Sequence, residues 1–426
     1  MNMILLKNVS YLNIEKEKIE DNYDILIENN KISKISSKID IKADKIIDCS
    51  GKLAVPAYTN GHTHLGMTMM RNLADDLDLN TWLNEKIWPV EDKLTSEDIY
   101  WASMLSIVEN IKSGVGTVYD MYYSMDRVSD GIIESGIRGV LTRGMMDISG
   151  GGDERIDELL ELYKNYHNSG NGRVKIVPAP HSIYTCSKEY LIKLMDIAAS
   201  FDGVINTHLS ETKKEVEDCL KEHSTTPAKY LNDLGMFDLK VVAAHCVHLT
   251  DEEIDLISEK DVYPIYNPSS NLKLASGFAP IDEMLKKGIK LGIGTDGSSS
   301  NNNQDLIEEM HIGSIVNKAV TLDATSVPAI EILKMATLNG GKLTGFNNGI
   351  IVENALADIA LYDLNALGFT PKNNMISALC YSTNSNYVTD LIVDGKVIME
   401  NREILTVDEE KIKYEVNRLT EKLLKR

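Results

Sequence analysis

Residues 59–70 read TNGHTHLGMTMM and place two histidines, His62 and His64, two positions apart. The stretch continues the β-rich run KLAVPAYT. In an extended chain, residues i and i+2 point to the same face. Both imidazoles are therefore predicted to project into one space, where a metal ion could bind. From this pair alone, two hydrogen-bonded core histidines explain the pattern equally well.

The run KLAVPAYT is the first of eight similar runs between about residue 55 and residue 346. The others are GVGTVYDMYY, IRGVLTRG, VKIVPAP, GVINTHL, KVVAAHC, DVYPIYN and IKLGIGT, with helical patterns between them. Eight strands that alternate with helices over about 290 residues predict an α/β fold, a (β/α)8 TIM-like barrel. A doubly wound open sheet is the alternative, and the regularity of the eight repeats favours the closed barrel.

The two ends of the chain resemble each other and differ from the middle. Short alternating strands fill the first fifty residues and return near the C-terminus, where Asp394-Gly395 is a typical two-residue hairpin turn. A helix is predicted from about Asp408 to the end. We therefore expect residues 1–54 and 347–426 to form one small β-sandwich domain beside a barrel domain of residues 55–346.

Composition narrows the possible functions. The chain has 426 residues, of which 43% are hydrophobic, and a formal net charge of −20. This charge argues against binding to nucleic acid or to an anionic membrane surface. The five cysteines contain no CxxC pair, which is typical of a reducing compartment. Since neither a signal peptide nor a membrane-spanning apolar run is found, the sequence predicts a cytoplasmic protein.

Residues suited to chemistry concentrate where the predicted strands end. In a (β/α)8 barrel the active site lies at the C-terminal ends of the strands. Satisfied core histidines would have no reason to prefer that end, so the distribution favours a metal site. The residues at these ends are His62 and His64 (first strand), His181 (fourth), His208 and Glu211 (fifth), His245 and His248 (sixth) and Asp296 (eighth).

Imidazoles and a carboxylate with an open position are typical of a catalytic zinc site. The predicted ligands are His62, His64, His208 and Asp296. His245 is either a further ligand or a base outside the ligand shell. Glu211, three residues after His208, could donate a proton to a substrate nitrogen, although a glutamate in the first turn of a helix needs no such role.

Several motifs together carry a family resemblance. The segments VPAYTNGHTHLGMTMMRNLADDLDLNTWLNEKIWPVEDKLT, NTHLSET, AAHCVHL, NPSSNLKLASGFAP and GTDGSSSNNN resemble the amidohydrolase superfamily. Within it, they are similar to the methylthioadenosine/S-adenosylhomocysteine deaminases, which include the 5′-deoxyadenosine deaminases. The resemblance implies a barrel beside a β-sandwich. It also implies metal-dependent hydrolytic deamination of S-adenosylhomocysteine, 5′-methylthioadenosine, 5′-deoxyadenosine or adenosine to the inosine analogue and ammonia.

The resemblance also assigns the metal centre. His62, His64, His208 and Asp296 match the family's ligands, and His245 matches its residue beside the attacking water. Lys175 lies well before the strand end, unlike the carbamylated lysine of relatives with two metals, so one divalent metal per subunit is expected. Zn²⁺ is the expected metal, and Fe²⁺ and Mn²⁺ remain alternatives because such sites accept several metals.

The same resemblance implies the substrate contacts. Glu211 matches the acid that contacts the purine, His181 a second purine contact, and Glu91 the carboxylate that holds the ribose hydroxyls. Trp82 is expected in the pocket by resemblance alone, since its spacing is that of a core residue.

Arg143 and Arg155 match arginines that hold the amino-acid tail of S-adenosylhomocysteine. One of them can come from a neighbouring subunit in such enzymes, which implies a homo-oligomer, either a dimer or a tetramer. Two acidic residues, Asp153 and Glu154, stand directly before Arg155. This departure from the family pattern argues against a contact between Arg155 and a substrate carboxylate.

Three alternatives remain open from the sequence. A hydrolase of the same superfamily that acts on guanine, a triazine or a cyclic amide would keep the metal site but have less use for Glu91. A barrel that serves as a non-enzymatic scaffold, or one that stores metal, would not need both the full ligand set and an adjacent acid.

The roles of three residues after the seventh strand also stay open: Asn267, Ser270 and Asn271 either line the pocket or shape its loop.

Overall fold

A computed structural model describes residues 3–77 and 81–426 of the chain. Its central part is a ring of parallel strands that alternate with helices, as the sequence predicts. Among the described residues, the strands of this ring are Tyr58–His64, Val115–Tyr122, Arg138–Met145, Val174–Ile176 with Ala179–Pro180, Val204–Leu209, Lys240–His245, Val262–Tyr266, and Gly292–Ile293 with Asp296–Gly297. We refer to them as barrel strands one to eight.

The ring closes on itself, although the hydrogen-bond ladder is broken in two places. Strands four and five are joined by backbone hydrogen bonds from the amides of Asn206 and His208 to the carbonyls of Pro178 and His181. Strand eight is interrupted, so that its first part pairs with strand seven and its second part with strand one. The predicted (β/α)8 barrel is therefore confirmed, and the open-sheet alternative is excluded.

Helices follow most barrel strands, and several of them begin with a side-chain cap. Thr95 and Thr250 each form a capping box with the acidic residue three positions later, Asp98 and Glu253. The longer helices of the described barrel region are Ser96–Lys112, Met125–Ser135, Gly152–Tyr166, Lys188–Ser200, Lys213–His223, Pro227–Asp233, Asp251–Ser258, Leu306–Thr321 and Ala329–Ala336. Shorter helical segments in the described ranges are Leu65–Met70, Trp82–Ile87, Trp88–Glu91, Pro268–Lys273 and Ile281–Lys286. None of the helices in the described ranges is long and apolar enough to cross a membrane.

Strands from both ends of the chain form one sheet, largely antiparallel, beside the barrel. In the described ranges its members are Met3–Asn13, Lys18–Glu28, Lys31–Ser36, Lys45–Asp48, Lys52–Pro56, Ile359–Asp363, Val388–Val393, Lys396–Glu400 and Glu403–Ile404. The hairpin predicted at Asp394-Gly395 joins Val388–Val393 to Lys396–Glu400, and both turn residues have positive φ. The C-terminal helix Glu409–Leu423 then packs Leu419 and Leu423 against Ala102 of the barrel.

The run KLAVPAYT is divided between the two sheets. Lys52–Pro56 pairs with the end strands Met3–Asn13 and Ile359–Asp363, and the barrel strand starts only at Tyr58. At the junction, the amide of Ala57 donates to the carbonyl of Asp358, whereas the amide of Tyr58 donates to Gly114 of the barrel. Both halves are apolar and buried, which is why the hydrophobic pattern alone reads as one strand.

A buried ion cluster fastens the end sheet to the barrel. Arg138, at the start of barrel strand three, donates two hydrogen bonds to Asp358, at 2.8 and 3.1 Å, and one to Asp394, at 2.9 Å. Arg173 pairs with the other oxygen of Asp394 at 2.7 Å, and the amide of Asn348 donates to Asp358 at 2.7 Å. Each charge therefore has a partner despite its burial.

Candidate active site

Imidazoles from three barrel strands and one carboxylate converge at the C-terminal end of the barrel. His62 and His64 end strand one, His208 lies near the end of strand five, His245 ends strand six, and Asp296 lies in strand eight. Two overlapping groups have ligand atoms within 4.8 Å of one another: His62, His208 and His245, and His62, His64 and Asp296. Residues about 230 positions apart in sequence are thus brought together by the closure of the ring.

Hydrogen bonds orient two of these imidazoles. The Nδ1–H group of His64 donates to the carbonyl of Met121 at 2.5 Å, and that of His208 donates to the carbonyl of His181 at 2.7 Å. When a ring held in this way is neutral, its single proton lies on Nδ1, so Nε2 is the atom that would offer a lone pair to a metal.

His62 is buried without a hydrogen-bond partner for either ring nitrogen within the described part of the chain. Its Nε2 atom lies 3.5 Å from Oδ1 of Asp296, and the Nε2 atom of His64 lies 3.1 Å from the same oxygen. A buried polar group left unpaired is costly. A divalent cation would satisfy these nitrogens, so the residues present fit the metal that the sequence implies.

Charge and protonation also suit a metal site. Burial lowers the pKa of His62 to about 4 and that of His208 well below its usual value, so both rings are neutral near pH 7. Burial alone would raise the pKa of Asp296, but the imidazoles of His62 and His64 that face this carboxylate hold its pKa well below the usual value. Burial alone would lower the pKa of His64, but the hydrogen bond and the charge of Asp296 raise it to about 9, so a metal ion bound here would displace a proton from this ring. The site therefore offers neutral rings at His62 and His208 and an ionised carboxylate, which are the forms that bind metals.

Two hydroxyls hold the second oxygen of Asp296. Ser270 and Ser300 donate to Oδ2 at 2.6 and 3.0 Å, which leaves Oδ1 facing His62 and His64. Asp296 has a left-handed backbone with a φ of 62°, and His245 has one with a φ of 73°. Such conformations are strained for non-glycine residues and cluster at functional sites.

Gly294 lets barrel strand eight pass directly against strand one. A Cβ atom at this position would lie 2.7 Å from the backbone nitrogen of His62 and 2.8 Å from Oδ1 of Asn267. The motif GIGTDG therefore needs its second glycine for this close approach, which places Asp296 beside the paired histidines.

Glu211 lies next to the histidine cluster, just after strand five. Its Oε2 atom is 3.8 Å from Nε2 of His245, and Oε1 is 3.5 Å from the hydroxyl of Ser276. Burial, together with the negative charge of Asp296, raises the pKa of Glu211 to about 8. Glu215 fixes the turn that carries this acid, because its carboxylate accepts hydrogen bonds from the backbone amides of Ser210 and Glu211 at 2.9 and 2.8 Å.

A cleft opens onto the cluster. Glu91 and Trp82, both buried, line it together with His181. The hydroxyl of Tyr122 donates to Oε1 of Glu91 at 2.7 Å and so fixes its direction. The remaining lining is largely aromatic and apolar, which suits a flat heterocyclic ligand with a few polar anchor points.

Sequence and structure comparisons agree with this geometry. The profile of the Amidohydrolase family matches residues 53–398. This chain belongs to the amidohydrolase family. It is 47% identical to the 5-methylthioadenosine/S-adenosylhomocysteine deaminase of Thermoanaerobacter pseudethanolicus, an alignment that covers 99% of this chain and 100% of that protein. It is 46% identical to the enzyme of the same name from Dictyoglomus turgidum, with 99% of each chain covered.

Solved structures show the same architecture. An adenosine deaminase from Xanthomonas campestris with bound zinc superposes with a TM-score of 0.95 at 28% identity, covering 99% of each chain. A triazine hydrolase from Arthrobacter aurescens has a TM-score of 0.92 at 24% identity, covering 99% of this chain and 100% of that one, and supports the fold alone. The predicted membership in the methylthioadenosine/S-adenosylhomocysteine deaminase group of amidohydrolases is thereby confirmed.

Arg143 and Arg155 of this amidohydrolase lie beside the cleft rather than in it. Arg143 donates to Glu158 at 2.8 Å and to the carbonyl of Gly144 at 2.7 Å. Arg155 donates to the carbonyl of Met146 at 2.6 Å. Gly144 and Met146 line the cleft, whereas neither arginine is among its lining residues. Within one chain, the structure therefore does not bring these arginines to the histidine cluster.

Three supporting residues were missed by the sequence reasoning. Tyr122 could have been found, because it ends barrel strand two and so stands where active-site residues of this fold occur. Glu215 could also have been found as the last residue of the capping-box pattern TKKE. Ser300 carries no comparable signal in its serine-rich loop.

Proposed function

We propose that this amidohydrolase deaminates adenosine-type nucleosides to the inosine analogue and ammonia. The substrates are S-adenosylhomocysteine, 5′-methylthioadenosine, 5′-deoxyadenosine or adenosine. The observation that carries this proposal is that Glu91, held by Tyr122, lines the same cleft as Glu211 and the histidine cluster. An anchor for ribose and an acid for the purine thus belong to one site. The names of the most similar relatives support the same activity.

His62, His64, His208 and Asp296 would hold a divalent metal, which we propose to be zinc, with iron and manganese as the alternatives. A metal bound by such a set lowers the pKa of its water from 15.7 to about 7. The zinc in the adenosine deaminase from Xanthomonas campestris supports this assignment. Asp296 is the group placed to accept the proton that the attacking water loses.

The remaining steps are proton transfers by this chain's own residues. Glu211, protonated because of its raised pKa, donates to purine N1 and so makes C6 electrophilic. His245 orients the attacking water. Asp296 then passes its proton to the exocyclic nitrogen, and the C6–N bond breaks to release ammonia. The hydroxyl on C6 loses its remaining proton to become the carbonyl of the product, and this proton restores Glu211 to its acid form. His181 and Trp82 pack against the base, and Glu91 holds the ribose hydroxyls.

An ultraviolet assay of the conversion of adenine to hypoxanthine across the four nucleosides tests this function. We expect at least one nucleoside to be deaminated, and free guanine and triazines to be left unchanged. Conversion of those free bases without any nucleoside deamination would instead favour a guanine deaminase-like or chlorohydrolase-like activity.

Replacing Glu91 with glutamine should lower kcat/KM for every nucleoside substrate by about 30-fold, because hydrogen bonds to an ionised group contribute about 1.5–3 kcal/mol. Any residual turnover of free adenine should stay unchanged, since the free base has no ribose. The measurement is a comparison of kcat/KM for adenosine and adenine. Glu97→Gln, an exposed glutamate on the next helix, is the control, and equal losses on nucleoside and base would exclude the ribose role.

Replacing Arg143 or Arg155 with alanine should lower kcat/KM for S-adenosylhomocysteine about 10- to 100-fold while 5′-deoxyadenosine is processed nearly as before. The reason is that only the former substrate has a carboxylate for an arginine to bind. We propose that Arg155 acts in its own or a neighbouring subunit of a homo-oligomer. Equal losses on both substrates would show that the arginines support the fold around Glu158 and Met146 instead.

The cytoplasmic location of the protein stays a prediction.

A further inference from the structure

Two asparagines of the short helix after barrel strand seven converge on the ring of His245. Pro268–Lys273 is preceded by its N-terminal cap residue Asn267, and Asn271 lies one turn later. Residues i and i+4 share one face of a helix, so the two side chains point the same way. Nδ2 of Asn271 lies 2.9 Å, and Nδ2 of Asn267 lies 3.3 Å, from Nδ1 of His245. All three residues are buried.

This contact determines where the proton of His245 resides. An amide NH2 group can only donate, so Nδ1 of His245 must accept and therefore carries no proton. A neutral imidazole carries one proton, which the ring of His245 then holds on Nε2. The Nε2–H group faces Oε2 of Glu211 at 3.8 Å.

The arrangement is the reverse of that at two neighbouring histidines. At His64 and His208 a backbone carbonyl accepts the proton of Nδ1, which leaves a lone pair on Nε2 for a metal. At His245 an amide donor occupies the same place. The partner of Nδ1 thus distinguishes imidazoles that can ligate a metal through Nε2 from one that presents a hydrogen-bond donor there.

Resting on the proposed function, we propose that Asn271, assisted by Asn267, is a positioning residue that fixes the Nε2–H tautomer of His245. His245 then donates a hydrogen bond to the oxygen that adds to C6 of the purine and is not a metal ligand. This assigns a role to the asparagines of the NPSSN motif and chooses between the two roles that the sequence leaves open for His245.

The competing arrangement has both amides turned round, with their oxygens toward the ring. The amide oxygens of Asn267 and Asn271 have no hydrogen-bond partner among the described residues. Turning the two amides would therefore break no hydrogen bond of these oxygens, and a direct test must distinguish the two arrangements. It would place the proton on Nδ1 and make Nε2 a further ligand.

Nitrogen NMR of the zinc-loaded enzyme, labelled with 15N-histidine, distinguishes the two arrangements. The signals of His245 are those that disappear in His245→Gln. We expect Nδ1 of His245 to resonate as an unprotonated nitrogen, and Nε2 as a protonated nitrogen that is not bound to zinc. A protonated Nδ1 with a zinc-shifted Nε2 would overturn the proposal, and this result requires no variant of the asparagines.

Kinetics of Asn271→Asp provide the second test. The new carboxylate accepts a proton from Nδ1, so the tautomer should switch in the NMR spectrum. We expect kcat for the best nucleoside to fall about 100-fold with KM within about 3-fold, similar to the loss of one donor to a developing oxyanion. Asn271→Ala removes the donor without adding charge and should cost about 10-fold in kcat.

Asn317→Asp is the matched control, because Asn317 is also buried but contacts Tyr266 and Gly313 on the barrel side of another helix. It should leave the tautomer of His245 unchanged. An Asn271→Asp enzyme with unchanged kcat and an unchanged spectrum would refute the positioning role. A wild-type enzyme that deaminates no nucleoside would instead refute the proposed function, while the NMR result would still report the tautomer.

Discussion

Glu211→Gln is expected to lower kcat for nucleoside deamination by about 10³-fold while leaving the metal content unchanged. Proton transfer by a positioned acid typically contributes about 10²–10⁴-fold, and glutamine can donate a hydrogen bond but cannot release a proton to N1. Glu211 is buried beside His245, and its turn is held by Glu215. The measurement is kcat with the best nucleoside, together with metal analysis of the same preparation.

The pH dependence of kcat/KM of the wild-type enzyme is a second test of Glu211 as the proton donor. Burial and Asp296 raise the pKa of Glu211 to about 8, so the proton it donates is present at neutral pH and is lost as the pH rises. A bound cation pulls this pKa downward, so the alkaline limb of kcat/KM should fall at or below pH 8.

The control for Glu211→Gln is Glu217→Gln, which changes an exposed glutamate on the helix after Glu211 and should keep full activity. A Glu211→Gln enzyme with near wild-type kcat would eliminate the general-acid role.

Arg138→Met is expected to lower the free energy of unfolding by about 3–5 kcal/mol, the usual cost of removing one partner from a buried ion pair. The variant leaves Asp358 without the bidentate hydrogen bonds at 2.8 and 3.1 Å, and Arg173 becomes the cation that pairs with Asp394, which also accepts a hydrogen bond from Asn30. Because the cluster joins the end sheet to barrel strand three, the loss should also reduce cooperativity between the two parts. Urea unfolding followed by circular dichroism measures both effects.

An exposed ion pair of the same type serves as the control. Arg127 pairs with Asp130 on the surface, and both side chains are 38% exposed. Arg127→Met should therefore cost at most about 1 kcal/mol. The double variant Arg138→Met with Asp358→Asn should recover part of the loss, since one of the stranded charges is removed. If Arg138→Met and Arg127→Met were equally mild, the ion cluster would not be what fastens the two parts.

The sequence predicts the barrel and the convergence of the histidines because both depend on strong, regular patterns. Apolar runs of strand length recur eight times, and chemistry at the C-terminal ends of parallel strands must meet at one rim. His62 accordingly lies with His208 in one group of possible ligands and with Asp296 in the other. The division of KLAVPAYT between two sheets is not predictable in this way, since hydrophobic alternation records burial and not the identity of the neighbouring strand.

Side-chain pairings were the least predictable part of the site. Arg143 matches a family arginine, yet in this chain it pairs with Glu158 on the next helix, a contact that depends on the helix's position above the strand. Likewise, the contact of Asn271 with His245 depends on the rotation of a six-residue helix. Spacing within a motif shows which residues share a face, but the partner on another element is set only by the packing of the whole barrel.

Zinc titration of the metal-free enzyme measures whether deamination depends on one metal ion per chain. We expect that protein stripped by a chelator does not deaminate nucleosides, and that activity returns in proportion to added Zn²⁺ and reaches its plateau at one equivalent per chain. His62→Ala, which removes a buried imidazole that the described residues leave unpaired, should shift or abolish this titration. Stripped protein that deaminates nucleosides at the full rate, or a plateau at two equivalents, would exclude a single catalytic metal ion at the histidine cluster.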